Sequence, residues 1–68
     1  MTEYTSVEFY CGKPLVASVR SHAVPRAGEF VNIRKVTYSV TRVTWAVDSD
    51  EVGRQSLRAC VEMDEVKP

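Results

Sequence analysis

Seven side chains in the middle of this chain could do chemistry together: Arg20, His22, Arg34, Lys35, Tyr38, Arg42 and Trp45. The chemistry that suits them is holding an anion that carries a flat ring. Guanidinium groups grip phosphate through paired, charge-assisted hydrogen bonds, and aromatic faces stack on bases. Arg20 and His22 share one parity of an extended run, Arg34 and Lys35 adjoin at a reversal, and Tyr38, Arg42 and Trp45 lie along the next run. Each residue also has an ordinary use. Tryptophan and tyrosine in β-rich runs commonly anchor a core, and sheet-surface arginines are commonly solvated.

Catalysis needs a different set. A hydrolytic centre joins a nucleophile, a base and an orienting group, and His22 is the single histidine. Ser18, Ser21, Cys11 and Cys60 stand in no nucleophile-elbow or cysteine-motif context. No catalytic residue is assigned, and the chain is read as non-enzymatic. Zinc takes about four Cys, His or acidic ligands, which two separated cysteines and one histidine do not supply. Asp48, Asp50 and Glu51 lack the alternating oxygens, central glycine and terminal glutamate of a calcium loop. Gly12, Gly28 and Gly53 are scattered and form no phosphate-cradling loop. Neither a metal nor a cofactor is expected.

The elements that must position the seven residues read as strands. The clearest signal lies at residues 36–47. Val36, Tyr38 and Val40 share one parity, whereas Val43, Trp45 and Val47 share the other. Strand side chains alternate with period two, so this switch requires an extra residue or a sharp bend near Thr41 and Arg42. Small sheets use such bulges to curl. Further strands are expected at residues 5–11, with Val7, Phe9 and Cys11 on one face, and at residues 15–24. There Leu15, Ala17 and Val19 oppose Val16, Ser18, Arg20 and His22. A short strand at 29–33 and a half-buried one at 55–63, with Leu57, Ala59, Val61 and Met63 inward, complete the set. Turn signals stand at residues 12–14 and 25–28, and Arg34-Lys35 forms a reversal without glycine. Asp48 or Ser49 suits the cap of one helical turn in the polar run 48–54, and the tail 64–68 is expected to fray. The expected fold is all-β, one domain over residues 1–68, as a small five-stranded, strongly bent sheet or an SH3-like barrel.

A chain of 68 residues buries only about 60% of its unfolded surface, and small cores usually need help from disulfides, a metal or association. With two cysteines and no ligand cluster, self-association into a homo-oligomer is the expected help. The formal charge is zero, yet residues 1–12 carry −2, residues 13–47 carry +5 and residues 48–68 carry −3. That basic middle suits an anionic ligand or complementary subunits. Zero net charge argues against a duplex-DNA binder, whose affinity comes mainly from phosphate contacts. No signal-peptide pattern follows Met1, and no apolar run approaches a membrane span. The cytoplasm is the expected compartment, with Cys11 and Cys60 reduced; a disulfide stays open if the first and last strands pair.

The spacing Pro25-x-x-Gly28-Glu29-x-Val31-x-Ile33, followed by Tyr38-x-Val40-x-x-Val43-x-Trp45, resembles a pattern in small bacteriophage-encoded β-barrel proteins. Arg58-Ala59-Cys60-Val61-Glu62 resembles their closing strand. The resemblance covers about half of the chain. Many of those proteins carry glycine at the reversal that Arg34 and Lys35 occupy here. The resemblance implies a phage accessory protein and transfers no functional residue. Three functions are expected as alternatives. The chain is an anti-defence sponge that sequesters a nucleotide-like immune signal in the host cytoplasm, an inhibitor or adaptor of a host protein, or a virion or assembly component.

Overall fold

The computed structural model describes residues 4–49, 53 and 55–67. Five strands, β1 (Thr5–Cys11), β2 (Leu15–Ser21), β3 (Phe30–Ile33), β4 (Val36–Ser49) and β5 (Gln55–Glu65), form one sheet. Its order is β2-β1-β5-β4-β3. β1 and β5 run parallel; every other neighbouring pair is antiparallel. The sheet curls strongly into a half-barrel. Among the described residues no helix is long and apolar enough to cross a membrane.

The curl has a cause in β4. Val40 pairs with Met63 and Arg42 with Glu62, which leaves Thr41 as the extra residue. The Thr41 hydroxyl donates to the Glu62 carbonyl at 3.1 Å. The bulge therefore sits where the parity switches. It lets Val40 face Met63 before the bend, and Val43 face Val61 after it, with both pairs inside.

The inner face is built in rows across the strands. Ala17, Phe9, Val61 and Val43 form one row; Val19, Val7, Ala59 and Trp45 form the next. The buried core comprises Val7, Phe9, Val40, Ala59, Val61 and Met63, with Val16, Val24, Val31, Ile33 and Tyr38 among the half-buried residues packed against it. The core lies under β1, β5 and the first part of β4. The β4–β5 hairpin outruns it: β1 pairs with β5 from Ser6 and Arg58, whereas β4 and β5 continue to Ser49 and Gln55. The molecule is therefore long, 48 × 27 × 19 Å, with a radius of gyration of 13.1 Å, where a compact domain of this length has about 11 Å.

Several boundaries differ from the sequence expectation. β2 ends at Ser21 rather than Val24; its last pair among the described residues is with Thr5, where β1 begins. The Ser21 hydroxyl then accepts the Ala23 N–H at 3.1 Å. Leu15 does not share a face with Ala17 and Val19. The register shifts between Phe9, which faces Ala17, and Tyr10, which faces Leu15, so Val16 is extra and Leu15 is left half exposed. Asp48 and Ser49 are strand residues opposite Ser56 and Gln55, not a helix cap; residues 50–52 and 54 of that run lie outside the described residues. The tail is held as far as Val66, and Pro68 lies outside the described residues. Asp64 and Glu65 pair with Ser39 and Tyr38, and the Val66 N–H donates to the Thr37 carbonyl at 2.9 Å.

Two turns fix the ends of β3. Arg34 and Lys35 join paired Ile33 and Val36 with φ of 52° and 69°. Two left-handed residues make a type I′ reversal, a geometry that favours Asn-Gly. Between β2 and β3, the Glu29 N–H donates to the Arg26 carbonyl at 3.0 Å, and Gly28 adopts φ 94°, a value that suits glycine. The Glu29 carboxylate accepts the Arg26 N–H. Cys11 and Cys60 are free. Their strands do pair, but Cys60 faces Glu8 and Cys11 faces Met63, so the thiols lie on opposite sides of the sheet.

Candidate ligand-binding cleft

The connector from β2 to β3 leans over the inner face of β4 and leaves a cleft of about 560 Å³ lined by His22, Val24, Pro25, Arg26, Ala27, Val43 and Trp45. Each wall has a local reason. Val24 packs on the core and pins the connector. Pro25 restricts its path by fixing φ near −65°. The Arg26–Glu29 turn is sewn to β4 by two hydrogen bonds of 2.9 Å, Gly28 N–H to the Val40 carbonyl and Val40 N–H to the Glu29 carbonyl. Trp45 stands on the inner face opposite Ala59, a side chain too small to cover it, and is 50% exposed.

Two polar groups border this apolar slot. The Arg26 side chain is exposed and forms no ion pair among the described residues. The His22 ring lies against Tyr4, with centroids 4.1 Å apart and planes tilted by 33°. Indole and proline surfaces with a guanidinium and an imidazole alongside suit a planar group bearing negative charge. Among the described residues no three His, Cys, Asp or Glu side chains gather as a metal site would require.

The seven residues singled out in the sequence do not converge. His22 and Trp45 share the cleft. Arg20 is exposed on the outer face opposite Ser6. Arg42 is exposed there too, 3.6 Å from Glu62. Arg34 and Lys35 occupy the β3–β4 tip, ten residues along β4 from Trp45, or roughly 30 Å of extended chain. Tyr38 is half buried against the core. Arg26 joins the cleft although the sequence marked it only as a turn residue. The signal was present in its glutamate three positions on, which closes the turn and fixes where Arg26 emerges.

The outer face is occupied differently. Arg58 lies 3.4 Å from Glu8 and 3.6 Å from Asp48. Asp48 and then Glu8 hold its guanidinium protonated beyond its usual range. Its shielded Nε makes no hydrogen bond, so the contact with Asp48 is an ion pair without one. Tyr10 donates to Glu8 at 2.7 Å. That hydrogen bond, more than desolvation, raises the phenol above its ordinary value. These outer-face groups are already engaged, in contrast to the Arg26 side chain.

No protein-family model, curated protein or solved structure matches the chain.

Proposed function

We propose that the chain is a non-catalytic binding protein that takes a flat, anionic, nucleotide-like small molecule in the Trp45 cleft. One observation carries this: the lone tryptophan is half exposed in a slot that it shares with His22 and with Arg26, whose guanidinium has no ion pair among the described residues. The volume, about 560 Å³, lies within the range of small-molecule sites. The resemblance to small bacteriophage β-proteins supplies a setting. In it the chain acts as an accessory protein that sequesters a nucleotide-like immune signal of the host.

Titration calorimetry with cyclic nucleotides and ADP-ribose derivatives tests the proposal, with Trp45 emission as a second signal. Binding should quench the indole, and Arg26→Ala or Trp45→Ala should each weaken it at least tenfold. Silence in both signals across the whole panel removes the proposal. A second reading has its own observation. β2 ends the sheet, so one side of a seven-residue strand is open to addition by a segment of a host protein. Capture of a host protein that is lost on substituting Val19 with proline would favour that reading.

A further inference from the structure

The apolar inner face does not stop where the core stops. Val19 and Trp45 end the row whose middle members, Val7 and Ala59, are fully buried. Val47 and Leu57 face each other further along the hairpin, beyond the last pairing of β5 with β1. These four side chains are between 45% and 63% exposed. The opposite side of the same hairpin is mostly polar: Thr44, Asp48, Ser56 and Arg58 with its ion pairs surround half-buried Ala46 and Cys60. The projecting hairpin is thus a two-stranded ribbon with one adhesive side.

We infer that this side packs against the same side of a second copy, so that two β4–β5 hairpins close each other's half-barrels about a two-fold axis. Area favours this occupant. On the hairpin itself Trp45, Val47 and Leu57 leave on the order of 300 Å² of apolar surface in water, the lower end of the biggest patch on a typical monomer. That is close to the apolar centre of an interface burying roughly 800 Å² per partner. A ribbon with one apolar side can meet the same side of its own copy about a two-fold axis, as an isologous contact requires. A 68-residue chain with six buried core residues among those described also gains most from association. Because Trp45 belongs both to the patch and to the cleft, the dimer sets each cleft beside the interface.

Light scattering on the full chain without any nucleotide tests the inference apart from the ligand proposal. The expected mass is twice the 7.7 kDa of one chain. Dilution should shift Trp45 emission to the red as dimers part. The double substitution Val47→Asp and Leu57→Asp should give the single-chain mass with the β-sheet circular dichroism retained. Val47→Thr with Leu57→Thr, which keeps strand preference, should weaken the dimer at least tenfold and guards against misfolding of the first variant. A single-chain mass at the highest soluble concentration with dilution-independent emission overturns the inference. So does a dimer that both variants leave intact, because its interface then lies elsewhere.

Discussion

Each half of β4 sets valine, an aromatic residue and valine at alternate positions, yet the two triplets end in different environments. Before Thr41, Val36, Tyr38 and Val40 lie between β3 and β5 and are half or fully buried. After it, Val43 is half buried, Trp45 half exposed and Val47 more exposed still. Hydrophobicity does not separate the halves; neighbours do. β3 and the last residues of β5 flank the first half, whereas the second half runs out past the end of β1. The first half supplies stability, and the second presents surface for recognition.

The severest way to break this contrast is to delete Thr41. Without the extra residue Val40, Val43, Trp45 and Val47 fall into one unbroken alternation that keeps their partners on β5, but the bulge that bends the strand is gone. Loss of a cooperative urea transition is expected, because a straightened β4 uncurls the sheet from its core; a retained one would show that Thr41 does not make the bend. Next in size, Met63→Ala should cost about 2–5 kcal/mol, as buried large-to-small changes do. Val47→Ala, measured at a dilution where single chains prevail, should change stability by less than about 0.5 kcal/mol. Equal costs would erase the difference between the buried stretch of the β4–β5 pair, where Met63 faces Val40, and its projecting stretch. Replacing Arg34-Lys35 by Asn-Gly should stabilise the chain by about 1–2 kcal/mol, since two left-handed non-glycine residues are relieved. An unchanged urea midpoint would mean that the reversal is not strained.

The smallest effect belongs to the outer face. Tyr10 is held neutral by its hydrogen bond to Glu8, and its folded pKa lies above the unfolded one. Its contribution is therefore complete below about pH 10 and is lost as pH rises through the raised value. The stability difference between the wild-type chain and Tyr10→Phe should be constant below that point and shrink above it. A difference that does not change with pH would remove the hydrogen bond from the account.

The same contrast explains which features were legible in the residues. The Thr41 bulge could be read because it leaves a local trace, a change of parity within one run. The all-β, five-strand order of elements could be read from alternation and from turn residues. The end of β2 could not, because it depends on where β1 begins. Nor could the displacement of Leu15, whose cause is a register shift against a partner strand. The parallel pairing of β1 with β5 joins residues about fifty positions apart and leaves no local pattern. Of the candidate site, His22 and Trp45 were visible by type, but Arg26 looked like punctuation. Arg20, Arg34, Lys35 and Arg42 looked like partners only because charge was read along the chain rather than across the sheet.

The place of β5 has a consequence for biosynthesis. The last of the five strands to leave the ribosome is the middle one, wedged between β1 and β4. A nascent chain that has made only the first four holds two separate hairpins and no common centre. Such an intermediate exposes the open sides of both β1 and β4 until the final segment emerges, and long-range closure of this kind is slow. Cellular yield of this small protein should therefore depend less on its native stability than on how quickly that keystone segment is delivered.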